Sequence, residues 1–269
     1  MKTYRNLAHI QKKDKLGKRL SGISLAVLVV GMLVSFVPTW YPPDVPGQTA
    51  LIRFFQEYWM TISFVALPAG FILASLGSYH VNRFARRRWP GMKEWLRPDE
   101  VLERSFKGLD DKYAYFSWSL PASYLLVGPC GILLFALRSD RGRIVVNGDK
   151  WREPFSIGRI FTVFAREGLG NPRIELEDQT QRIAKLLAEA TEEESNNTDF
   201  SQVPINGAAV FINQQTEIDA TSPSVPALRP NQVKAFIRTH AKEVRLQTST
   251  LRALTRYLES RSEQNDGEG

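Results

Sequence analysis

Two long apolar runs without a formal charge constrain this chain more than any other feature. The first covers residues 20–37 and the second residues 59–81, which makes 18 and 23 residues. An α-helix rises about 1.5 Å per residue and the bilayer core is about 30 Å thick, so about 20 residues span it. Aromatic residues, which favour the membrane interface, lie at the facing ends of both runs: Trp40, Tyr41, Tyr58 and Trp59. The sequence predicts a transmembrane helical hairpin over about 20–40 and 59–81.

Each run has one alternative interpretation. The first follows a basic segment, as in a signal peptide, but it exceeds the usual apolar length of about 7–15 residues and no Ala-x-Ala cleavage site follows. The second could be a buried helix of a soluble domain, although its length and lack of charge favour a membrane span.

The small residues Ala66, Gly70 and Ala74 of the second run recur every four positions. This spacing allows close helix packing, within the hairpin or in a dimer.

Positive charge is concentrated on either side of the hairpin. Residues 1–19 carry seven basic residues and one acidic residue, residues 82–97 carry six and one, and the loop 38–58 has a net charge of −1. Because Lys and Arg mark the cytoplasmic side, both termini are expected inside and the loop outside. We expect a multi-pass protein of a bacterial inner membrane, with anionic lipids at both basic segments.

The rest of the chain is mildly acidic. Residues 98–269 carry 21 basic and 24 acidic residues, a net charge of −3, although the whole chain is +7. A domain that grips nucleic-acid phosphates is usually basic itself, so the charge does not support a nucleic-acid partner. The net charge of this part of the chain is compatible with a protein partner or with a second copy of the chain. With one cysteine, Cys130, and three widely separated histidines, no disulfide framework or His/Cys metal site is expected.

Local patterns predict a cytoplasmic α+β domain over residues 98–260 and a disordered tail over 261–269. Helical spacing occurs near residues 98–109, 174–190 and 232–260. Apolar runs predict four short strands: 113–118, 124–127, 132–137 and 208–212. The turn Asn147-Gly148-Asp149 predicts a hairpin over about 143–151.

One segment of this domain resembles a known family. Between two apolar strands lies a Gly-Pro-Cys-Gly corner, residues 128–131, followed by Gly142, Gly148 and Trp151. This pattern resembles the NERD, or nuclease-related, domain. The resemblance extends over about residues 98–245 through Asn171-Pro172, a helix with Gln179 and Gln181, and the strand AAVFIN at 208–213. It implies a restriction-endonuclease-like α/β core. It also implies a site similar to that of PD-(D/E)xK nucleases, in which an Asp and an acid-x-Lys pair hold a divalent metal.

The positions that the resemblance assigns to catalysis carry other residues here. The Asp position falls on Ser123, and the acid-x-Lys positions fall on Ala136-Leu137-Arg138. Ala136 has no ligand atom, Ser123 is a poor substitute for a carboxylate, and the pKa of an arginine is too high for proton transfer. We therefore expect a catalytically inactive NERD-like domain, without a cofactor, that acts in binding or scaffolding at the membrane.

Two other interpretations remain. A membrane-tethered nuclease could hold Mg²⁺ in a rearranged site built from Glu103, Asp140 and Gln179. Divalent-metal binding separates this hypothesis from the first. The third interpretation is a structural membrane protein with an unrelated α+β domain, which a sheet lacking the Gly-Pro-Cys-Gly corner would favour.

Overall fold

The computed structural model describes residues 1–42, 46–154, 170–193 and 199–267. These residues fall into two compact units. Residues 13–42 and 46–83 form a helical unit, and the other described residues form a sheet unit.

The helical unit consists mainly of two long helices, α1 (Leu7–Trp40) and α2 (Ala50–Phe84), whose first turn and last residue respectively belong to the sheet unit. Both are long and apolar enough to cross a membrane, with a mean hydropathy of 2.4 and 1.8 over their most apolar 18 residues. Large apolar side chains point outward from them, as with Phe64, which is 79% exposed. Such surface suits lipid contact rather than water. The coarse prediction of two apolar helices of membrane-spanning length is confirmed.

The small residues of α2 lie against α1. A Cβ atom added at Gly70 would come within 2.5 Å of the Leu28 side chain. The hydroxyl of Ser24 donates a hydrogen bond of 2.8 Å to the carbonyl of Gly70. Ala66 contacts the site of Gly31 in the same way. Close packing within the hairpin therefore accounts for the small-residue spacing.

The sheet unit is a mixed α/β structure. Its helices include α3 (Pro98–Ser105), α4 (Pro172–Glu193), α5 (Pro230–Glu243) and α6 (Thr248–Gly267). Its strands are β1 (Lys2–Arg5), β2 (Arg87–Arg88), β3 (Trp95–Leu96), β4 (Ala114–Ser117), β5 (Tyr124–Gly128), β6 (Gly131–Arg138), β7 (Gly142–Asn147), β8 (Lys150–Arg152), β9 (Ile205–Phe211), β10 (Thr216–Thr221) and β11 (Ala227–Leu228).

Six strands form the central sheet in the order β1-β4-β5-β6-β9-β11. Strands β4, β5 and β6 form an antiparallel meander, with Leu125 opposite Leu134. The chain then returns through α4, and β9 runs parallel to β6. Strands β1 and β11 are parallel edge strands. A smaller sheet, β10-β7-β8, contains the predicted hairpin, with Val146 opposite Trp151.

Helices cover both faces of the central sheet. Along β6, Leu134 and Ala136 lie in one apolar cluster with residues of α4 and α6. Leu133 and Phe135 lie in a second cluster with residues of α3 and α5. Because both faces are buried, β6 is an unbroken apolar run rather than an alternating one. The smaller sheet packs against Ala209 and Phe211, on the α4 side of β9.

Several elements differ from the sequence prediction, among them the short strands β2 and β3 and the strand β10, which no sequence pattern predicted. Residues 2–5 form β1, although the basic composition of this segment predicted only a flank of the membrane helix. Strand β11 lies in a proline-rich stretch for which the sequence predicted no strand. Helix α6 continues to Gly267, where a disordered tail was expected from residue 261. The amide of Asn265 donates to the carbonyl of Ser119, which gives this last part of α6 a tertiary contact.

Candidate functional site

The candidate site lies where β6 ends and α4 begins. The β5–β6 register pairs Leu125 with Leu134. Ser123 directly precedes β5 and Ala136 lies within β6, so extending this register by two residues would put the two positions side by side. The family resemblance assigns both positions to metal-binding carboxylates. Ala136 is fully buried in the apolar cluster that includes Leu134 and Leu187.

Arg138 is the last residue of β6 and forms a buried ion pair with Glu175. The Nη2 atom of Arg138 lies 2.7 Å from Oε2 of Glu175, and the two side chains are 5% and 19% exposed. Nη1 of Arg138 also donates to the carbonyl of Leu137 at 3.0 Å. Helix α4 therefore places a carboxylate over the sheet, where it pairs with a cation.

Local sequence explains why Glu175 lies at this point. The side-chain oxygen of Asn171 accepts a hydrogen bond from the backbone N–H of Arg173. The backbone carbonyl of Asn171 accepts a hydrogen bond from the backbone N–H of Glu175. Pro172 is the first residue of α4, a position that suits its fixed φ and missing donor. Glu175 thus lies in the first helical turn, where the helix dipole also favours a negative charge.

Gln179 follows Glu175 by one helical turn and completes the cluster. Its Nε2 atom donates to Oε1 of Glu175 at 3.3 Å, and the residue is only 4% exposed. In the described part of the chain, its Oε1 atom has no hydrogen-bond partner. A buried acceptor left in this state is unfavourable by about 1–3 kcal/mol.

Asp140 lies two residues beyond Arg138 and is also buried. The hydroxyl of Thr216 donates to its backbone carbonyl. Because Ala136 faces the apolar cluster from within β6 and Asp140 follows the end of that strand, Asp140 does not take the place of a carboxylate at position 136.

Glu103 lies on the other side of the central sheet. Its helix, α3, packs on the face that carries Leu133 and Phe135. Its carboxylate accepts from the hydroxyl of Thr3 at 2.8 Å and pairs with Arg5, both on β1. The structure therefore does not assemble the alternative trio, because Glu103 is separated by the sheet from Gln179.

Sequence reasoning missed Glu175, the carboxylate that pairs with Arg138. The available signal was its spacing of four from Gln179 on a helix, which puts both side chains on one face. Within residues 1–42, 46–154, 170–193 and 199–267, no three His, Cys, Asp or Glu side chains lie close enough together to hold a metal ion.

The donor set of this cluster does not suit Mg²⁺, which prefers carboxylate and water oxygens with little competing positive charge. One carboxylate is engaged by a guanidinium, and the residue at the strand position is an alanine. The arrangement can offer hydrogen-bond donors from a cation and an amide, and its carboxylate, Glu175, is engaged by the guanidinium of Arg138. Comparisons with protein-family models, with curated proteins and with solved structures find no match to this chain.

Proposed function

We propose that this chain is a membrane-anchored protein whose sheet unit is a noncatalytic NERD-like domain that acts in binding or scaffolding at the inner face of the membrane. The observation that carries this proposal is the content of the candidate site. The β6 position expected to hold a metal ligand is the buried Ala136, and the neighbouring cation, Arg138, is paired with Glu175.

The order of the elements supports the fold part of the proposal. Helix α3, the β4–β6 meander, the returning helix α4 and the parallel strand β9 follow one another along the chain, an order compatible with a restriction-endonuclease-like core. The Gly-Pro-Cys-Gly corner joins β5 to β6, with Gly128 opposite Gly131. This corner favours the NERD-like interpretation over an unrelated α+β domain.

The two apolar helices support the membrane part of the proposal. Basic residues are concentrated in the two segments that flank the hairpin, residues 1–19 and 82–97. By the positive-inside rule, this distribution favours a cytoplasmic sheet unit. Each Lys or Arg close to an anionic membrane surface contributes about 1 kcal/mol of attraction. The basic flanks therefore would hold anionic lipids as well as set the orientation.

The chain segments on either side of the hairpin are joined through α3 by ion pairs. Arg5, just before α1, has its Nε atom 2.7 Å from Asp99, and Arg86, just after α2, lies 2.6 Å from Glu100. Burial raises the pKa of Glu100, but hydrogen bonds from Arg86 and from the backbone of Arg97 outweigh it, and the pKa lies below its usual value. Both segments are thus tied to carboxylates of one helix.

A plasmid-cleavage assay in Mg²⁺ and Mn²⁺ tests the proposal. It uses the full-length protein in a non-ionic detergent. The fragment 98–269 is unsuitable, because it lacks β1, which pairs with β4. We expect no cleavage by the wild-type chain. Cleavage that is lost in Asp140→Ala but kept in Asp149→Ala, a carboxylate on the β7–β8 turn, would refute the proposal and establish the nuclease alternative.

A restoring variant serves as the positive control. Ser123→Asp, Ala136→Glu and Arg138→Lys together rebuild the acidic pair and the lysine that the resemblance implies. If the alignment of these positions is right, we expect this variant to gain Mn²⁺ binding relative to the wild type. Equal binding by both proteins would show that these positions are not a lost metal site.

A further inference from the structure

A second feature of the sheet unit is a groove at the opposite end of the central sheet from Arg138. It has a volume of about 400 Å³. Its walls come from the beginnings of β1 and β4, from Pro129 of the corner, from the α5–α6 connection and from the first turns of α6. Seven residues of β6, at about 3.3 Å each, separate the corner from Arg138, so the two sites lie about 23 Å apart.

The Gly-Pro-Cys-Gly corner builds one wall of this groove. A Cβ atom at Gly128 would lie 2.3 Å from the ring of Tyr113, so only glycine lets this ring pack there. The carbonyl of Pro129 accepts a hydrogen bond of 2.8 Å from the backbone N–H of Leu246. The corner therefore fixes the connection that leads into α6, two residues before that helix begins.

Positive charge is concentrated around the groove, in contrast to the net negative charge of residues 98–269. Among the residues that the structure describes, five basic and two acidic ones line it: Lys2, Lys112, Arg245, Arg252, Arg256, Asp111 and Glu259. Glu259 is already engaged, because it pairs with Lys2 at 3.2 Å and accepts from the hydroxyl of Tyr4.

The three arginines of the groove have no carboxylate partner within the residues that the structure describes. Arg252 and Arg256 are one turn apart on α6 and exposed to solvent. Like charges at this spacing repel each other. An anion bound between them would relieve that repulsion.

Helix α6 reinforces this preference for an anion. Its first residue, Thr248, lines the groove, so the positive end of the dipole of a 20-residue helix lies there. Apolar and aromatic side chains also line the groove: Tyr113, Leu246 and Leu251. Ligand pockets of small molecules combine such an apolar floor with a few charged groups, in volumes of about 300–1,000 Å³.

We propose that this groove binds a soluble phosphate-bearing ligand of nucleotide size, with its phosphates on Arg245, Arg252 and Arg256 and its ring against Tyr113. This inference goes beyond the proposed function and does not depend on it, because the groove and the candidate site share no residue. Phosphate oxygens accept charge-assisted hydrogen bonds from guanidinium groups, often two at a time.

A fluorescent ATP analogue, followed by anisotropy on the full-length protein in a non-ionic detergent, tests the proposal. We expect saturable binding that unlabelled ATP and pyrophosphate displace and that adenosine does not. The variant Arg252→Ala/Arg256→Ala should weaken binding by at least about tenfold. Arg252→Lys/Arg256→Lys, which keeps the charge, should weaken it less.

A matched control removes two exposed cations that do not line the groove, Lys185 and Arg238. The Lys185→Ala/Arg238→Ala variant should bind within about twofold of the wild type, because it changes only the general field of the protein. An equal loss in both double variants would overturn the proposal. Binding to anionic lipid vesicles alone, or to long oligonucleotides that ATP does not displace, would overturn the assignment to a soluble nucleotide-sized ligand.

Discussion

Removing the carboxylate of Glu175 should destabilise the sheet unit strongly. The Glu175→Gln substitution keeps the size of the side chain but deprives Arg138 of the charge that lies 2.7 Å away. Because Arg138 is only 5% exposed, water does not replace that charge. Breaking a buried ion pair on one side is unfavourable by about 3–5 kcal/mol. Glu175 is 19% exposed and Arg138 keeps the carbonyl of Leu137, so the lower end, about 3 kcal/mol, is expected.

The control replaces both partners and the amide that donates to one of them. Arg138→Met/Glu175→Leu/Gln179→Leu removes the two charges together with the Gln179 amide, which would otherwise lose its acceptor on Glu175, and such apolar replacements are often neutral or stabilising. We expect its free energy of unfolding to lie within about 1 kcal/mol of the wild type. Urea unfolding of the full-length protein, followed by tryptophan fluorescence, measures both variants. A loss of less than about 1 kcal/mol in Glu175→Gln, or an equal loss in the triple variant, would refute the ion-pair argument.

Three further predictions concern single residues. Cys130 is buried and burial raises its pKa to about 11, so the thiol should resist alkylation at pH 8 until the protein unfolds; mass spectrometry that finds rapid labelling of the native protein would contradict this. Gly128→Ala should destabilise the protein by about 1–3 kcal/mol in urea unfolding, because its Cβ atom would meet the Tyr113 ring. As a control, Gly22→Ala on α1, whose Cβ atom would meet nothing within 4 Å, should not destabilise the protein in the same experiment. The pKa of Glu100 lies below its ordinary value of 4.5, so its contribution to stability is present above pH 4.5 and is lost as the pH falls through the lower folded pKa; Glu100→Gln should flatten this acid limb of the stability profile, and an unchanged limb would contradict the assignment.

Elements whose signal is local were predicted well from the sequence. The apolar runs predicted α1 and α2, because membrane-spanning length and lack of charge are properties of a single segment. Helical spacing predicted α4, and Asn147-Gly148-Asp149 predicted the β7–β8 hairpin through its turn preference. The bounds of the helices were less accurate, since α2 begins at Ala50 rather than near residue 59.

Elements whose stability comes from distant partners were not predicted. Strand β1 has four residues, of which only Tyr4 is a large apolar one, and it forms because it pairs in parallel with β4, about 110 residues away. Neither its composition nor its length distinguishes it from a flexible basic terminus. The end of α6 depends in the same way on contacts of Asn265 with Asn6 and Ser119.

The candidate site shows the same division. The family resemblance singled out Ser123, Ala136 and Arg138, and the register of β5 and β6, extended by two residues, would put Ser123 beside Ala136. The role of Glu175 depends on how α4 returns over the sheet, which one sequence does not specify. Glu103 was grouped with Asp140 and Gln179 from residue type alone, whereas the sheet separates it from them.

Calorimetric titration of the full-length protein with Mn²⁺ and Mg²⁺ tests the central claim most directly. The claim is that the site at the end of β6 carries an arginine–glutamate pair in place of metal ligands. It predicts no saturable heat for either ion in the wild-type chain and a measurable Mn²⁺ heat in the Ser123→Asp/Ala136→Glu/Arg138→Lys variant. Saturable binding by the wild type that Gln179→Ala or Asp140→Ala abolishes would contradict the claim.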